Sequence, residues 1–234
     1  MIKGILFDKD GTLIEFNNFF GATYLRMLQQ HFGHTHDEAT ALLVSTGYVP
    51  ETGGCRGGSP MASETLSQIV RIWWPEMAEE ERQLRRQFID ENFDREAMED
   101  ATALLPLGPV FEELKQAGFI LGVATNDIEA AARSHMTQIG VVEHFHSLIG
   151  ADSVQQPKPA GNMIKLFASE TGLEPHQIAM VGDNAHDINE ARAGGAGLAI
   201  GVLSGNSAHE DLAHIADHVI ENVADLPSLL RRLG

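Results

Sequence analysis

Short apolar runs alternate with longer segments whose apolar residues recur every three or four positions. The run from Ile2 to Phe7 predicts a first buried strand. Phe119–Thr125, Ser147–Ile149, Ile178–Asp183 and Gly197–Val202 predict further strands, with a shorter one at His218–Ile220. Helical spacing covers Pro109–Ala117, Glu129–Ile139, Gly161–Thr171 and Asp187–Ala193, and a terminal helix ends near Leu233. Alternation of this kind predicts an α/β core, a parallel sheet with helices on both faces. The pattern breaks after Leu13 and resumes at Pro106. In between, Phe19–Phe32, Asp37–Val44, Ser63–Trp74 and Pro75–Met98 read as helices, the third capped by Ser63. The glycine-rich stretch Gly47–Pro60 reads as irregular. The expected organisation is a core of residues 1–15 and 102–234 interrupted by a helical domain over 16–101, with hinges near Asn17 and Thr102.

Composition narrows the possibilities. A chain of 234 residues, 43% of them hydrophobic, fits a core plus a smaller insert and can bury a sizeable interior. No apolar stretch approaches the roughly 18–20 residues of a membrane span. Met1 leads directly into the first strand, so no signal peptide is expected and the expected location is cytoplasmic. Cys55 is the only cysteine, which rules out an intrachain disulfide and fits a reducing compartment. A net charge of −17 argues against a nucleic-acid partner, which demands basic patches.

Candidate chemistry sits at the strand ends. The first strand runs into Asp8-Lys9-Asp10-Gly11-Thr12, two carboxylates one residue apart followed by a flexible turn. Such a pair can divide labour between nucleophile or metal ligand and proton carrier, although a polar turn after a strand has the same composition. A second strand ends in Thr125-Asn126-Asp127, and Lys158 stands between Pro157 and Pro159 just before a helix. A third strand ends in Gly182-Asp183, with Asp187 four residues on.

These four pieces, in this order, resemble the haloacid dehalogenase-like hydrolase superfamily, and within it the phosphoglycolate-phosphatase-like phosphatases with an α-helical cap. The resemblance covers nearly the whole chain. It implies a Rossmann-like three-layer core, with the insert as a cap over the carboxyl ends of the strands. It implies that Asp8 attacks phosphorus and carries an aspartyl-phosphate, while Asp10 protonates the leaving oxygen and then activates water. Thr125 and the Asn126 N–H would hold phosphate oxygens, and Lys158 would neutralise Asp8 and phosphate together. The implied cofactor is Mg²⁺, held by Asp8, Asp183 and the Asp10 main-chain carbonyl, with Asp187 close by, directly or through water or Lys158. In a chain this acidic, an anionic substrate would depend on that cation locally rather than on steering from afar. The implied substrate is a small phosphorylated metabolite, phosphoglycolate-like or a sugar phosphate. A sugar-phosphate mutase of the same superfamily, or a phosphate-binding regulatory domain without turnover, are the alternatives.

The insert is where substrate choice would be written. Arg56 and Ser59, on the glycine-rich loop, are candidates to touch a second anionic group, with a surface loop as the competing reading. No lysine occurs between Lys9 and Lys115, which argues against the branch that forms a Schiff base from a cap lysine. Trp73 and Trp74 are expected to pack, and the His34/His36 pair to face solvent. Asp127 is expected to cap the helix that follows it, and Gly194-Gly195-Ala196-Gly197 to turn from helix to strand. Glu15 stands where many relatives carry aspartate, a conservative exchange. The oligomeric expectation is a monomer or homodimer.

Overall fold

The N-terminal apolar run becomes β1 (Gly4–Phe7), every residue of it buried at the centre of the main sheet. The computed structural model describes residues 1–56, 59–63, 66–97, 101–205 and 207–233. After β1 come α1 (Phe16–Gln30), α2 (His36–Ser45), β2 (Tyr48–Val49), β3 (Gly54–Cys55), α3 (Pro60–Ser63), α4 (Leu66–Trp73) and α5 (Glu79–Ala97). They are followed by α6 (Leu107–Gln116), β4 (Ile120–Ala124), α7 (Glu129–Gln138), β5 (Ser147–Ile149), α8 (Asn162–Thr171), β6 (Ile178–Gly182) and α9 (Ala185–Gly194). The chain closes with β7 (Leu198–Val202), α10 (His209–Leu212), β8 (His218–Ile220) and α11 (Leu226–Leu233). It divides into two units, Met1–Glu15 with Ala101–Gly234, and Phe16–Asp100.

The first unit holds a six-stranded sheet in the order β5-β4-β1-β6-β7-β8, parallel throughout. Period-2 alternation sends Ile5 and Phe7 of β1 to one face and Leu6 to the other. Ile5 and Phe7 pack with Phe111 and Leu114 of α6 and Leu226, Leu229 and Leu230 of α11. Leu6 packs with Met163, Ile164 and Phe167 of α8 and Ile188 of α9. Helices therefore cover both faces, the three-layer α/β arrangement that a buried parallel sheet requires. The chain builds outward from β1 to β4 and β5, then crosses back to β6 on the other side. That reversal opens a crevice at the carboxyl ends of β1 and β6, the place where open α/β sheets receive ligands.

Where the chain leaves and re-enters this unit, its two passes are stitched together. Glu15 N–H donates to the Thr102 carbonyl and Leu104 N–H to the Leu13 carbonyl.

The second unit has its own core of Tyr24, Met27, Leu28, Leu43, Ile69, Val70, Trp73, Trp74 and Ile89. Both tryptophans pack, as their place on an apolar helix face predicts. Gly47–Pro60 is not wholly irregular, because β2 and β3 pair antiparallel within it, Tyr48 opposite Cys55. The Val49 carbonyl accepts N–H bonds from Thr52 and Gly53, so a tight turn joins strands too short to show any alternation. Ser63 is the last residue of the short turn α3, and residues 64–65, between it and α4, where its expected capping role would fall, lie outside the described residues. The charged helix begins at Glu79, not Pro75, where three consecutive glutamates meet the positive end of its dipole. Its expected end at Met98 lies outside the described residues. His34 is half-buried rather than solvent-facing. Its ring stacks on Trp74 at 6.1 Å between centroids, and His36 opens α2 behind a Thr35–Glu38 capping box. Among the described residues, no helix is long and apolar enough to cross a membrane.

One buried carboxylate ties the two helices behind the crevice. Glu190 of α9 accepts N–H bonds from Gly161 (2.5 Å), Met163 (2.8 Å) and Ile164 (3.3 Å), satisfying the otherwise orphaned start of α8. Glu190→Ala would leave those donors buried and unpaired. Urea denaturation should show a loss of about 3 kcal/mol, with Glu190→Gln losing about 1 kcal/mol because its carbonyl still accepts. Equal stability of Glu190→Ala and the parent would refute this role.

Candidate active site

Four chain segments deliver polar side chains to the carboxyl ends of β1, β4 and β6. Asp8 follows β1 directly, and its N–H donates to the Val181 carbonyl of β6, so the carboxylate leaves the sheet from its centre. The turn after it folds back on itself: Leu13 and Ile14 N–H groups both donate to the Lys9 carbonyl, and Thr12 Oγ1 donates to Asp8 Oδ2 at 3.3 Å. Gly11 takes φ +77° there, a region other residues rarely enter.

Lys158 is the hub. Its Nζ donates to Asp8 Oδ1 at 2.5 Å and to Asp187 Oδ1 at 2.6 Å, and all three side chains are buried. Burial alone would lower the lysine pKa, but Asp187 and then Asp8 outweigh it and hold the pKa well above the usual lysine value. Burial, reinforced by Asp8, pushes Asp187 up to about 7 despite the lysine beside it. Asp187 also accepts the Asn184 N–H through Oδ2 at 3.1 Å. It is thus both a member of the cluster and an N-terminal residue of α9, and the two readings of it are compatible.

Asp183 completes the group. Carboxylate oxygens of Asp8, Asp183 and Asp187 lie within 4.8 Å of one another, all buried. Bare backbone makes room beside Asp183. A Cβ on Gly205 would sit 1.9 Å from Asp183 Oδ2, and one on Gly11 would sit 2.7 Å from it. An all-oxygen donor set with this spacing and charge fits a hard divalent cation such as Mg²⁺.

The other expected residues are placed around this cluster. Thr125 is buried at the end of β4, and its Oγ1 accepts the Asp127 N–H at 3.1 Å. Asn126 Nδ2 donates to the Lys158 carbonyl at 3.2 Å, linking the second segment to the lysine loop. Asp10 turns the other way, to Lys9 Nζ at 2.7 Å. Burial, offset by Lys9 and reinforced by Asp127 and Asp8, pushes Asp10 up to about 6. Asp127 does not cap α7; it pairs with Lys9 at 2.7 Å, and Asp152 Oδ1 takes the Glu129 N–H instead. Arg56 and Ser59 belong to the second unit. There Arg56 is exposed and its N–H donates to the Gly47 carbonyl, while Ser59 is buried against the bare backbone of Gly47.

Sequence reasoning passed over Lys9, although a lysine between two aspartates at a strand end is an odd thing to bury. It also passed over Glu190 and Asp152, for which periodicity gives no sign.

With this geometry the chain can be placed among known proteins. A family model for haloacid dehalogenase-like hydrolases matches residues 2–195, and the chain belongs to that family. Among its relatives is the pyrophosphatase PpaX of Bacillus velezensis, 29% identical over 225 residues, 96% of this chain and 94% of that one. The phosphoglycolate phosphatase of Salmonella typhi is 32% identical over 119 residues, 50% of this chain and 47% of that one. In three dimensions the chain is similar to a predicted phosphoglycolate phosphatase of Haemophilus somnus 129PT, with TM-score 0.70, 21% identity and 98% of each chain covered.

Three crowded carboxylates around one ammonium predict a metal effect on stability. A carboxylate with a raised folded pKa contributes stability that is present below about pH 4 and lost as pH rises through about 7, the value for Asp187. A divalent cation removes the reason for that loss. Mg²⁺ at about 100 times its Kd should add about 2.7 kcal/mol near pH 7.5 and distinctly less near pH 5.5, where protons compete. Thermal melts with and without Mg²⁺ check this, and Asp183→Asn should blunt the shift.

Proposed function

We propose that this protein is a Mg²⁺-dependent phosphatase that hydrolyses small phosphate monoesters through an aspartyl-phosphate on Asp8. The observation that carries the reading is the Lys158 bridge. It holds one oxygen of Asp8 at a fixed place at the end of the central strand, within a cluster fit for a divalent cation. A carboxylate so held is a nucleophile with its charge already compensated.

Asp8, Asp183 and the Asp10 main-chain carbonyl would hold Mg²⁺, which would supply positive charge against the phosphate. Asp187, whose two oxygens are engaged by Lys158 and the Asn184 N–H, keeps Lys158 in place beside the would-be metal site. The chain's own residues do the rest. Asp8 attacks phosphorus as the bond to the leaving oxygen breaks, and Asp10 gives that oxygen its proton. Lys158, the Thr125 hydroxyl and the Asn126 N–H hold the transferred phosphoryl oxygens. Water then attacks phosphorus, gives a proton back to Asp10, and Asp8 is released. The inserted unit is the part of the chain to which this reading assigns the choice of substrate. Relatives named pyrophosphatase and phosphoglycolate phosphatase support phosphoryl transfer to water and leave both a diphosphate and a carboxylated monoester on the candidate panel.

Asp8→Asn should fold normally and lose turnover, since an amide is a poor nucleophile and a weaker metal ligand. Screening the parent enzyme on phosphoglycolate, sugar phosphates and pyrophosphate, with released phosphate as readout, identifies the substrate class. Phosphate found on a sugar hydroxyl instead of in solution would identify a mutase. Near-normal activity of folded Asp8→Asn, or activity surviving rigorous chelation, would overturn the mechanism.

Arg56 is proposed to meet the second anionic group of the substrate. Arg56→Ala should then lower kcat/KM on that substrate about 10- to 150-fold, the equivalent of a lost charge-assisted contact of roughly 1.5–3 kcal/mol. A small aryl phosphate lacking that group should be hydrolysed as before. Equal loss on both substrates would count against the contact.

A further inference from the structure

We infer that Lys9 is a positioning residue for Asp10, fixing which oxygen of that carboxylate carries the proton. Its stem is wholly buried, and its Nζ meets three partners from two regions of the fold. Asp10 Oδ1 lies at 2.7 Å, Asp127 Oδ2 at 2.7 Å and His135 Nδ1 at 3.1 Å. An ammonium offers three donors and no acceptor, so each partner must accept. His135 is thereby held as the neutral tautomer protonated on Nε2. Asp10 Oδ1 is held as an acceptor, so in the acid form the proton belongs on Oδ2. Asp127 follows β4 and His135 lies on α7, so these two elements anchor the lysine while the turn after β1 carries the group it orients.

The inference rests on the proposed role of Asp10 and deepens it. In the first step the bond from phosphorus to the leaving oxygen breaks, the bond to Asp8 forms, and the Oδ2 proton goes to the leaving oxygen. In the second, water oxygen bonds to phosphorus, the Asp8–phosphorus bond breaks, and a water proton returns to Oδ2. Lys9 exchanges no proton in either step. It keeps Oδ2 aimed, which is worth most when the leaving group needs protonation.

The experiment compares an alkyl phosphate with p-nitrophenyl phosphate, whose leaving group departs without help, in parent enzyme and Lys9→Met, Asp127→Ala and Asp10→Asn variants. For Lys9→Met, kcat on the alkyl phosphate should fall about 30-fold or more while KM stays within about threefold. On the aryl phosphate the first turnover should keep its rate while later turnovers slow. That produces a nitrophenol burst and an acid-trappable phosphoenzyme. Asp127→Ala, a partly exposed site, should show the same pattern at about 3- to 10-fold and serves if Lys9→Met does not fold. Loss shared equally by both substrates and both phases, or no loss, in the folded variants would overturn the inference. If Asp10→Asn shows the leaving-group pattern and the other two do not, only the role of Lys9 falls. If Asp10→Asn lacks it as well, the proposed role of Asp10 falls with it.

Discussion

A single buried ammonium, Lys158, makes the rest of the site tenable. Asp8, Asp183 and Asp187 bring three carboxylates within 4.8 Å of one another in a protein of net charge −17. Charges that close in a poorly hydrated crevice repel strongly unless something positive lies among them. Lys158 does so from a loop whose stiffness comes from its flanking prolines and whose far end is tied down by Glu190 through Gly161. The sheet supplies the opposite anchor, because Asp8 leaves it from the central strand. Neither anchor is itself chemical, and between them they fix the Asp8 carboxylate in place.

A second lysine solves the same problem on the other side of the turn. Lys9 lies in the turn after β1 and Lys158 in the loop before α8, and each sits among carboxylates. Asp8 and Asp10 are two residues apart yet face different cations, Lys158 for one and Lys9 for the other. That separation of partners gives two like groups different surroundings, which the proposed division of labour between them requires.

Much of this was readable from the chain because the strands are short, buried and end in the chemistry. β1, β4 and β6 appear as apolar runs, and the residue after each run, or one soon after, is a site residue. Alternation of strand and helix predicts a parallel sheet with helices on both faces, but the order of its strands comes from the structure. What stayed hidden depends on partners far away in sequence. His135 is 126 residues from Lys9, and Glu190 is 29 from Gly161, so no window along the chain shows either pair. Asp127 was misread for the same reason: capping is a local expectation, and a lysine from the turn after β1 displaced it. The β2–β3 hairpin escaped because two residues per strand carry no periodicity.

The stitched passage at residues 13–15 and 102–104 changes how the inserted unit should be regarded. Because both of its ends leave the core at one spot, the core experiences everything between them as a closed loop. The entropy of closing such a loop grows only with the logarithm of its length, about 0.6 kcal/mol per doubling. The hydrogen bonds between the two passes oppose part of that cost where it arises. A longer, shorter or altogether different insert would therefore leave the six-stranded sheet and the crevice at its carboxyl ends almost indifferent. In this architecture the sheet and whatever is threaded through that gap can change independently, as two inheritances carried on one chain.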